Sequence, residues 1–110
     1  MFKYFKPEEI KGLDLGLVKM LDQAREIAGI PFIITSGLRS AEHSLELGGY
    51  LNDAHTKGLA VDLRCRDSRQ RFLILKGLFA VGFVRIGDEI DHVHADIDIS
   101  KDVNVCWRDK

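Results

Sequence analysis

The sequence predicts an α+β protein. Two segments repeat apolar residues with the helical period, and two others alternate apolar and polar residues as strands do. The helical and strand segments are mixed along the chain, with strand-like segments adjacent near its end. At 110 residues, 45% of them hydrophobic, the chain is expected to form one domain, residues 1–110, around a single core.

The first half of the chain predicts one long helix and one short strand. Apolar residues at helical spacing predict an amphipathic helix over residues 13–28: Leu13, Leu17, Leu21, Ala24 and Ala28. Gly29, followed closely by a proline, supplies its end. PFIITS (31–36) then predicts a short buried strand. SAEHSLELGG (40–49) predicts a short helix or turn that begins at Ser40 and ends at glycine.

The second half predicts three strands and a second helix. In residues 59–63, leucines and valine alternate with Ala60 and Asp62, which places Asp62 on the face away from the core. DSRQ (67–70) has the form of a capping box, before a helix that closes at glycine 82. FVRIG (83–87) predicts a further strand. DHVHADIDIS (91–100) alternates again, so its valine, alanine and isoleucines share one face and its histidines and later aspartates the other.

Charge and composition exclude several classes of function. The net charge of −1 carries no basic excess, so nucleic-acid binding is not expected. No apolar run reaches the ~18 residues of a membrane span, and the start MFKYFKPEEI lacks the apolar core of a signal peptide. A cytoplasmic protein, as synthesised, is therefore expected. Cys65 and Cys106 lack CxxC spacing and are expected to be reduced, partly buried thiols.

Histidines and carboxylates in two separate segments suggest a metal site. His55 and Asp62 lie seven residues apart in DAHTKGLAVDL (53–63), and His92 and His94 point the same way in the last predicted strand. A polar strand face of this kind is also typical of a solvated surface. Two histidines and one carboxylate, however, leave a fourth position open, which is how catalytic zinc is held.

A zinc site of this type needs a general base. GDEIDHVH (87–94) offers Glu89 and Asp91 directly before the histidines, and strand geometry does not choose between them. Asp96 and Asp98 follow on the same strand face. They are expected either to be solvated or to orient one of the histidines.

Five motifs in a fixed order carry a family resemblance: TSGLRS (35–40), GG (48–49), HTKGLAVD (55–62), GFVRIG (82–87) and DHVH (91–94). In these the chain resembles the zinc D-alanyl-D-alanine carboxypeptidase family, which includes VanX-type dipeptidases and phage L-alanyl-D-glutamate endolysins. The resemblance runs from about Thr35 to Asp96. It implies a small antiparallel sheet with helices packed on it, the scaffold shared with hedgehog-type domains.

The resemblance also implies the site chemistry. His55, Asp62 and His94 match the three ligands of one Zn²⁺ per chain. Asp91 matches the catalytic carboxylate that activates water and passes the proton to the leaving amine. His92 matches a histidine beside the reaction centre that stabilises the oxyanion.

Arg39 matches an arginine that holds a substrate carboxylate or carbonyl. Ser36 is expected to contact substrate or to hydrogen-bond at the strand end, and not to be a nucleophile. The chain departs from the family pattern at Asp53, where a serine is usual, and at Ser44, where an asparagine is common. His43 and the basic residues Arg64, Arg66, Arg69 and Arg71 are expected to be structural or solvated.

The function implied is hydrolysis of an amide bond in the peptide stem of bacterial peptidoglycan by a monomeric zinc peptidase, with the wall or its peptide fragments as partner. The chain is then either a phage-type lysin or an enzyme that acts on wall fragments and dipeptides. The bond that is cleaved stays open between L-Ala-D-Glu, as in an endopeptidase, and D-Ala-D-Ala, as in a carboxypeptidase. The competing hypothesis is a zinc-stabilised binding module without hydrolysis. The acid at position 91 favours the enzyme, because a binder has no need of it.

Overall fold

The computed structural model describes residues 2–37 and 54–108. A short 3-10 helix (Pro7–Glu9) precedes the first long element. The helices are α1 (Leu15–Ala28) and α2 (Ser68–Ala80). The strands are β1 (Ile34–Ser36), β2 (Ala60–Arg64), β3 (Arg85–Asp88), β4 (His92–Asp96) and β5 (Val105–Arg108). The predicted α+β class is confirmed.

The described strands form one sheet in the order β1-β2-β4-β3-β5. Neighbouring strands are antiparallel except β3 and β5, which are parallel. The sheet is therefore mixed, and the strand that makes it so, β5, was not predicted. Because β4 lies at the centre, residues on its polar face have neighbours from β2 on one side and β3 on the other.

The core lies between one face of the sheet and the two helices. Alternation along the strands sends every second residue into it, as predicted. The core residues that are fully buried are Val61, Leu63, Ile86, Val93 and Ala95 in the sheet and Leu17, Val18, Leu21, Ala24 and Leu78 in the helices. The polar side chains of β2 and β4 lie on the opposite face of the sheet.

Side chains at the helix ends explain where the helices begin and stop. The carboxylate of Asp14 accepts hydrogen bonds from the backbone N–H groups of Gly16 (2.8 Å) and Leu17 (3.2 Å), so α1 begins two residues after the predicted position. Gly29 ends it in the left-handed conformation, with φ 73°. Asp67 caps α2 by accepting from the Gln70 N–H at 2.8 Å, which is one half of the predicted box. The other half differs, because the Gln70 side chain accepts from the Arg66 N–H at 2.8 Å and not from that of Asp67.

Three other expectations need correction. β1 is a partly exposed strand at one edge of the described sheet and not a buried one, since Thr35 is exposed. β4 ends at Asp96, short of the predicted end of the strand at residue 100, and Ile99 is 84% exposed. Cys65 and Cys106 are both free thiols, as expected, but only Cys65 is buried. The predicted helix or turn over residues 40–49 lies outside the described residues.

Candidate metal centre

One row of residues crosses the polar face of the sheet. Ser36 on β1 is paired with Asp62 on β2, and Asp62 is paired with His94 on β4. His94 is paired with Gly87 on β3, which is paired in turn with Trp107 on β5. Strand pairing alone therefore brings together Asp62 and His94, which lie 32 residues apart in the sequence.

His55 completes a cluster of three metal-binding groups. It is buried in the turn that leads into β2, and its Nε2 lies 3.2 Å from Asp62 Oδ1 and 3.2 Å from His94 Nδ1. His94 Nδ1 lies 3.1 Å from Asp62 Oδ1. A tetrahedral ion with ligands at about 2.0–2.1 Å requires donor separations of about 3.3–3.4 Å. The three atoms therefore fit the ligand set of zinc.

Each of the two histidines makes a hydrogen bond through the ring nitrogen that faces away from the cluster. His55 Nδ1 donates to the carbonyl oxygen of Gly37 at 2.9 Å, and His94 Nε2 donates to Asp96 Oδ2 at 2.7 Å. With these nitrogens protonated, the neutral rings present lone pairs at the other nitrogens, aimed at each other and at Asp62. The lone pairs and the carboxylate repel one another unless a proton or a metal cation lies among the three atoms.

The charges around His94 lead to the same conclusion. Burial by itself lowers the pKa of His94, but hydrogen bonds to Asp62 and Asp96 outweigh it, so its pKa is raised. Burial by itself raises the pKa of Asp62, but the hydrogen bonds that His55 and His94 make to it when a proton lies between these groups outweigh burial and hold that pKa far below its usual range. The cluster is thus built to hold positive charge at its centre.

Asp96 is the residue that orients His94. It is buried and accepts from Arg85 Nε at 2.7 Å and from the Asp98 backbone N–H at 3.0 Å. Asp98 is equally buried, but its carboxylate binds Lys57 at 3.0 Å and the Ser100 backbone at 3.1 Å. Of the two aspartates that the sequence left open, Asp96 contacts the histidine, and neither is solvated.

A wall beside His94 comes from the unpredicted strand β5. The indole of Trp107 lies 5.3 Å from the His94 ring and donates to Glu89 Oε1 at 3.0 Å. It fits there because Gly87 has no side chain: a Cβ at that position would stand 2.6 Å from the indole nitrogen. Trp107 was not predicted from the sequence. The signal available was the segment Val105–Arg108, whose β-branched and aromatic residues alternate with their neighbours as in a strand.

Asp91 and His92 form a second unit next to the metal-binding cluster. His92 Nδ1 donates to Asp91 Oδ1 at 2.7 Å, and His92 Nε2 lies 3.9 Å from Asp62 Oδ1. The hydrogen bond from His92 lowers the pKa of the exposed Asp91 carboxyl, so this group is ionised at neutral pH. The imidazole thus stands between Asp91 and the three metal-binding atoms.

An open groove of about 540 Å³ adjoins this unit. Its lining residues are Thr35, Arg64, Cys65, Arg66, Ile90, Asp91 and His92. Ser36, at the end of β1, faces Asp62 across the strand pair. Arg39, the predicted substrate ligand, lies outside the described residues, as do His43, Ser44 and Asp53.

The fold and this site define a small α+β protein with a histidine–aspartate–histidine centre suited to a catalytic metal ion. The chain belongs to the Peptidase M15 family, whose model matches residues 4–96, and it is a peptidase. This confirms the family resemblance drawn from the motifs. Trp107 lies beyond the matched residues.

The structure is similar to a crystal structure of an L-Ala D-Glu endopeptidase, ChiX, from Serratia marcescens. The TM-score is 0.71 and the sequence identity 22%, over 84% of this chain and 86% of the other. No curated protein matches the chain. Neither of the helices in the described parts of the chain is long and apolar enough to cross a membrane.

Proposed function

We propose that this peptidase is a zinc enzyme that hydrolyses an amide bond in the peptide stem of bacterial peptidoglycan. The observation that carries the proposal is the cluster of His55, Asp62 and His94, whose three donor atoms lie 3.1–3.2 Å apart with both rings anchored from behind. These residues would hold one Zn²⁺ in a single domain that acts as a monomer.

The substrate class rests on the family and the fold together. A peptidase fold shared with an L-Ala D-Glu endopeptidase makes the L-Ala-D-Glu bond the first one to test, with the D-Ala-D-Ala bond second. Bound zinc would polarise the scissile carbonyl and lower the pKa of the attacking water to about 7. The remaining steps belong to side chains of the chain itself.

Asp91 is the proposed general base and acid. Its carboxylate is ionised, so it can take a proton from water and return it to the leaving amine, while the hydrogen bond from His92 holds it in position. His92 lies between Asp91 and the metal ligands, where Nε2, when it also carries a proton, can donate to the oxyanion of the tetrahedral intermediate. Arg39 and Ser36 are the proposed contacts to bound substrate.

Metal content and hydrolysis, measured on the same samples, test this proposal. Purified wild type is expected to retain one zinc per chain and to release peptides from peptidoglycan. Asp91→Asn is expected to retain zinc while its kcat falls about 10²–10⁴-fold, since it loses its general base. Glu89→Gln is the matched variant, because Glu89 precedes the same histidines and its amide oxygen can still accept from Trp107.

The alternative results are distinct. A loss of turnover in Glu89→Gln with full activity in Asp91→Asn would move the base to Glu89. Stoichiometric zinc without hydrolysis of peptidoglycan or its peptides would identify a zinc-stabilised binding module. A wild type that binds no zinc would contradict the proposed chemistry altogether.

A further inference from the structure

The groove beside Asp91 is rich in positive charge. Arg64 on β2 is paired with His92 on β4 and lies two residues after Asp62. Because residues two apart in a strand share a face, its side chain leaves the sheet on the face that carries the metal-binding cluster. Arg66 follows two residues later and lines the same groove. Two guanidinium groups therefore flank a space whose described lining residues contribute one carboxylate, that of Asp91.

Neither guanidinium is paired with a carboxylate of residues 2–37 or 54–108. Within the described residues, no carboxylate lies within 4 Å of the side-chain nitrogens of Arg64 or Arg66. Arg71 on α2 differs, because it is paired with Asp88 and also donates to the Ile90 carbonyl at 2.9 Å. Arg71 thus holds the loop before β4 in place, whereas Arg64 and Arg66 keep their full donor capacity for a ligand.

The far wall of the groove is formed by an irregularity in β1. Ile34 is paired with Leu63 and Ser36 with Asp62, so Thr35 is one residue in excess of its partner strand. Such a bulge changes the direction of a side chain, and the exposed Thr35 lines the groove together with Ile90 and Asp91. The backbone on the other side is held by the hydrogen bond from Cys65 N–H to the Asp91 carbonyl, 3.0 Å.

We propose that this groove binds the leaving part of the substrate through a free carboxylate, and that Arg64 and Arg66 recognise that carboxylate. The proposal rests on the proposed function in one respect: Asp91, which lines the groove, hands the proton to the leaving amine. The residue on the amine side of the scissile bond then lies between Asp91 and the two arginines. A planar guanidinium is the side chain best suited to a carboxylate, which it can bind through two parallel hydrogen bonds.

The test uses two peptides that differ at one group. Both contain L-Ala-D-Glu, and the free carboxylate of the glutamate is either retained or converted to the carboxamide. The wild type is expected to prefer the carboxylate peptide by about tenfold in kcat/KM, mainly through KM, the size expected for an exposed charge-assisted contact. Arg64→Gln and Arg66→Gln are expected to lose most of that preference while their turnover of the carboxamide peptide stays near that of the wild type.

Arg69→Gln is the matched control. Arg69 is an exposed arginine on α2 that does not line the groove, so its replacement changes the net charge equally without touching the proposed site. It is expected to keep the tenfold preference. Thermal unfolding and zinc content, measured on every variant, separate loss of recognition from loss of the fold.

A binding measurement keeps this proposal separate from the proposed reaction. Both peptides are titrated against Asp91→Asn, which lacks the general base. Tighter binding of the carboxylate peptide that disappears with Arg64→Gln supports the groove, even if the wild type cleaves neither peptide and the proposed reaction fails. Equal binding of the two peptides, or an equal loss for both in the arginine variants, would overturn the assignment of the groove.

Discussion

The contact between His94 and Asp96 decides which nitrogen of the histidine faces the metal-binding cluster. Asp96 is 1% exposed, ionised and already bonded to Arg85, so it accepts a hydrogen bond from His94 Nε2 and leaves Nδ1 to face Asp62. A carboxylate behind a metal-binding histidine fixes the ring and raises its basicity as a ligand. The pair is thus as much a part of the candidate site as the donor atoms.

Replacing this carboxylate is expected to weaken metal binding. Asp96→Asn keeps an acceptor oxygen but removes the negative charge behind His94, so the affinity for zinc is expected to fall about 10–100-fold. Competition with a chelator of known affinity measures the change. Asp98→Asn is the control, since Asp98 is as buried but contacts Lys57 and not a histidine. Equal losses in both variants would show that burial, and not the contact with His94, is what matters.

The two helices support the site from the far side of the sheet. They approach closely where Gly77 on α2 meets Ala24 on α1: a Cβ at position 77 would stand 2.4 Å from the Ala24 carbonyl oxygen. Because the obstructing atom belongs to the helix backbone, neither helix can yield by rotating a side chain. The small residues at this crossing therefore set the distance between α1 and α2.

Adding one methyl group at this crossing is expected to destabilise the protein. Gly77→Ala gains helix propensity but forces the helices apart, for an expected net loss of about 1–3 kcal/mol in the free energy of unfolding. Urea unfolding measures the difference. Lys76→Ala, at the exposed neighbouring position, is expected to change stability by under about 0.5 kcal/mol. A Gly77→Ala protein as stable as Lys76→Ala would contradict the close crossing.

At the scale of the whole molecule, one ion pair joins the turn that carries His55 to the chain after β4. Lys57 Nζ lies 3.0 Å from Asp98 Oδ2, and the Ile97 N–H donates to the Leu59 carbonyl beside it at 3.0 Å. Burial by itself raises the pKa of Asp98, but hydrogen bonds from Ser100 and Lys57 outweigh it and lower that pKa from 3.8 to about 2. The ionised carboxylate therefore stabilises the folded chain.

This ion pair is expected to give stability that disappears in acid. Because the folded pKa of Asp98 lies below its unfolded value, the contribution is complete above about pH 4 and is lost as the pH falls towards 2. Asp98→Asn is expected to be less stable than the wild type by about 1–3 kcal/mol near pH 7 and nearly equal to it at pH 2. Urea unfolding across this pH range gives the comparison. A difference independent of pH would mean that packing, and not charge, is responsible.

Features that depend on neighbouring residues in the sequence were predictable. The local periods of helix and strand predict the apolar repeats of α1 and β2. They also place Asp62 on the opposite strand face from Val61 and Leu63, and the local sequence predicts the Asp67 cap. The set of His55, Asp62 and His94 was also predicted, through a family motif whose order along the chain is visible without a structure. Their roles in catalysis stay predictions, as do those of Arg39 and Ser36.

Features that depend on which distant groups meet were decided only by the tertiary structure. Periodicity placed Asp96 and Asp98 on one strand face but could not choose between them, and the choice came from His94 on one side and Lys57 on the other. The contact of Trp107 with Gly87 follows from the pairing of β3 and β5, and the Gly37 carbonyl reaches His55 because the residue after β1 lies beside the turn before β2. A sequence carries the period of each element, whereas contacts between elements arise only when the whole core packs.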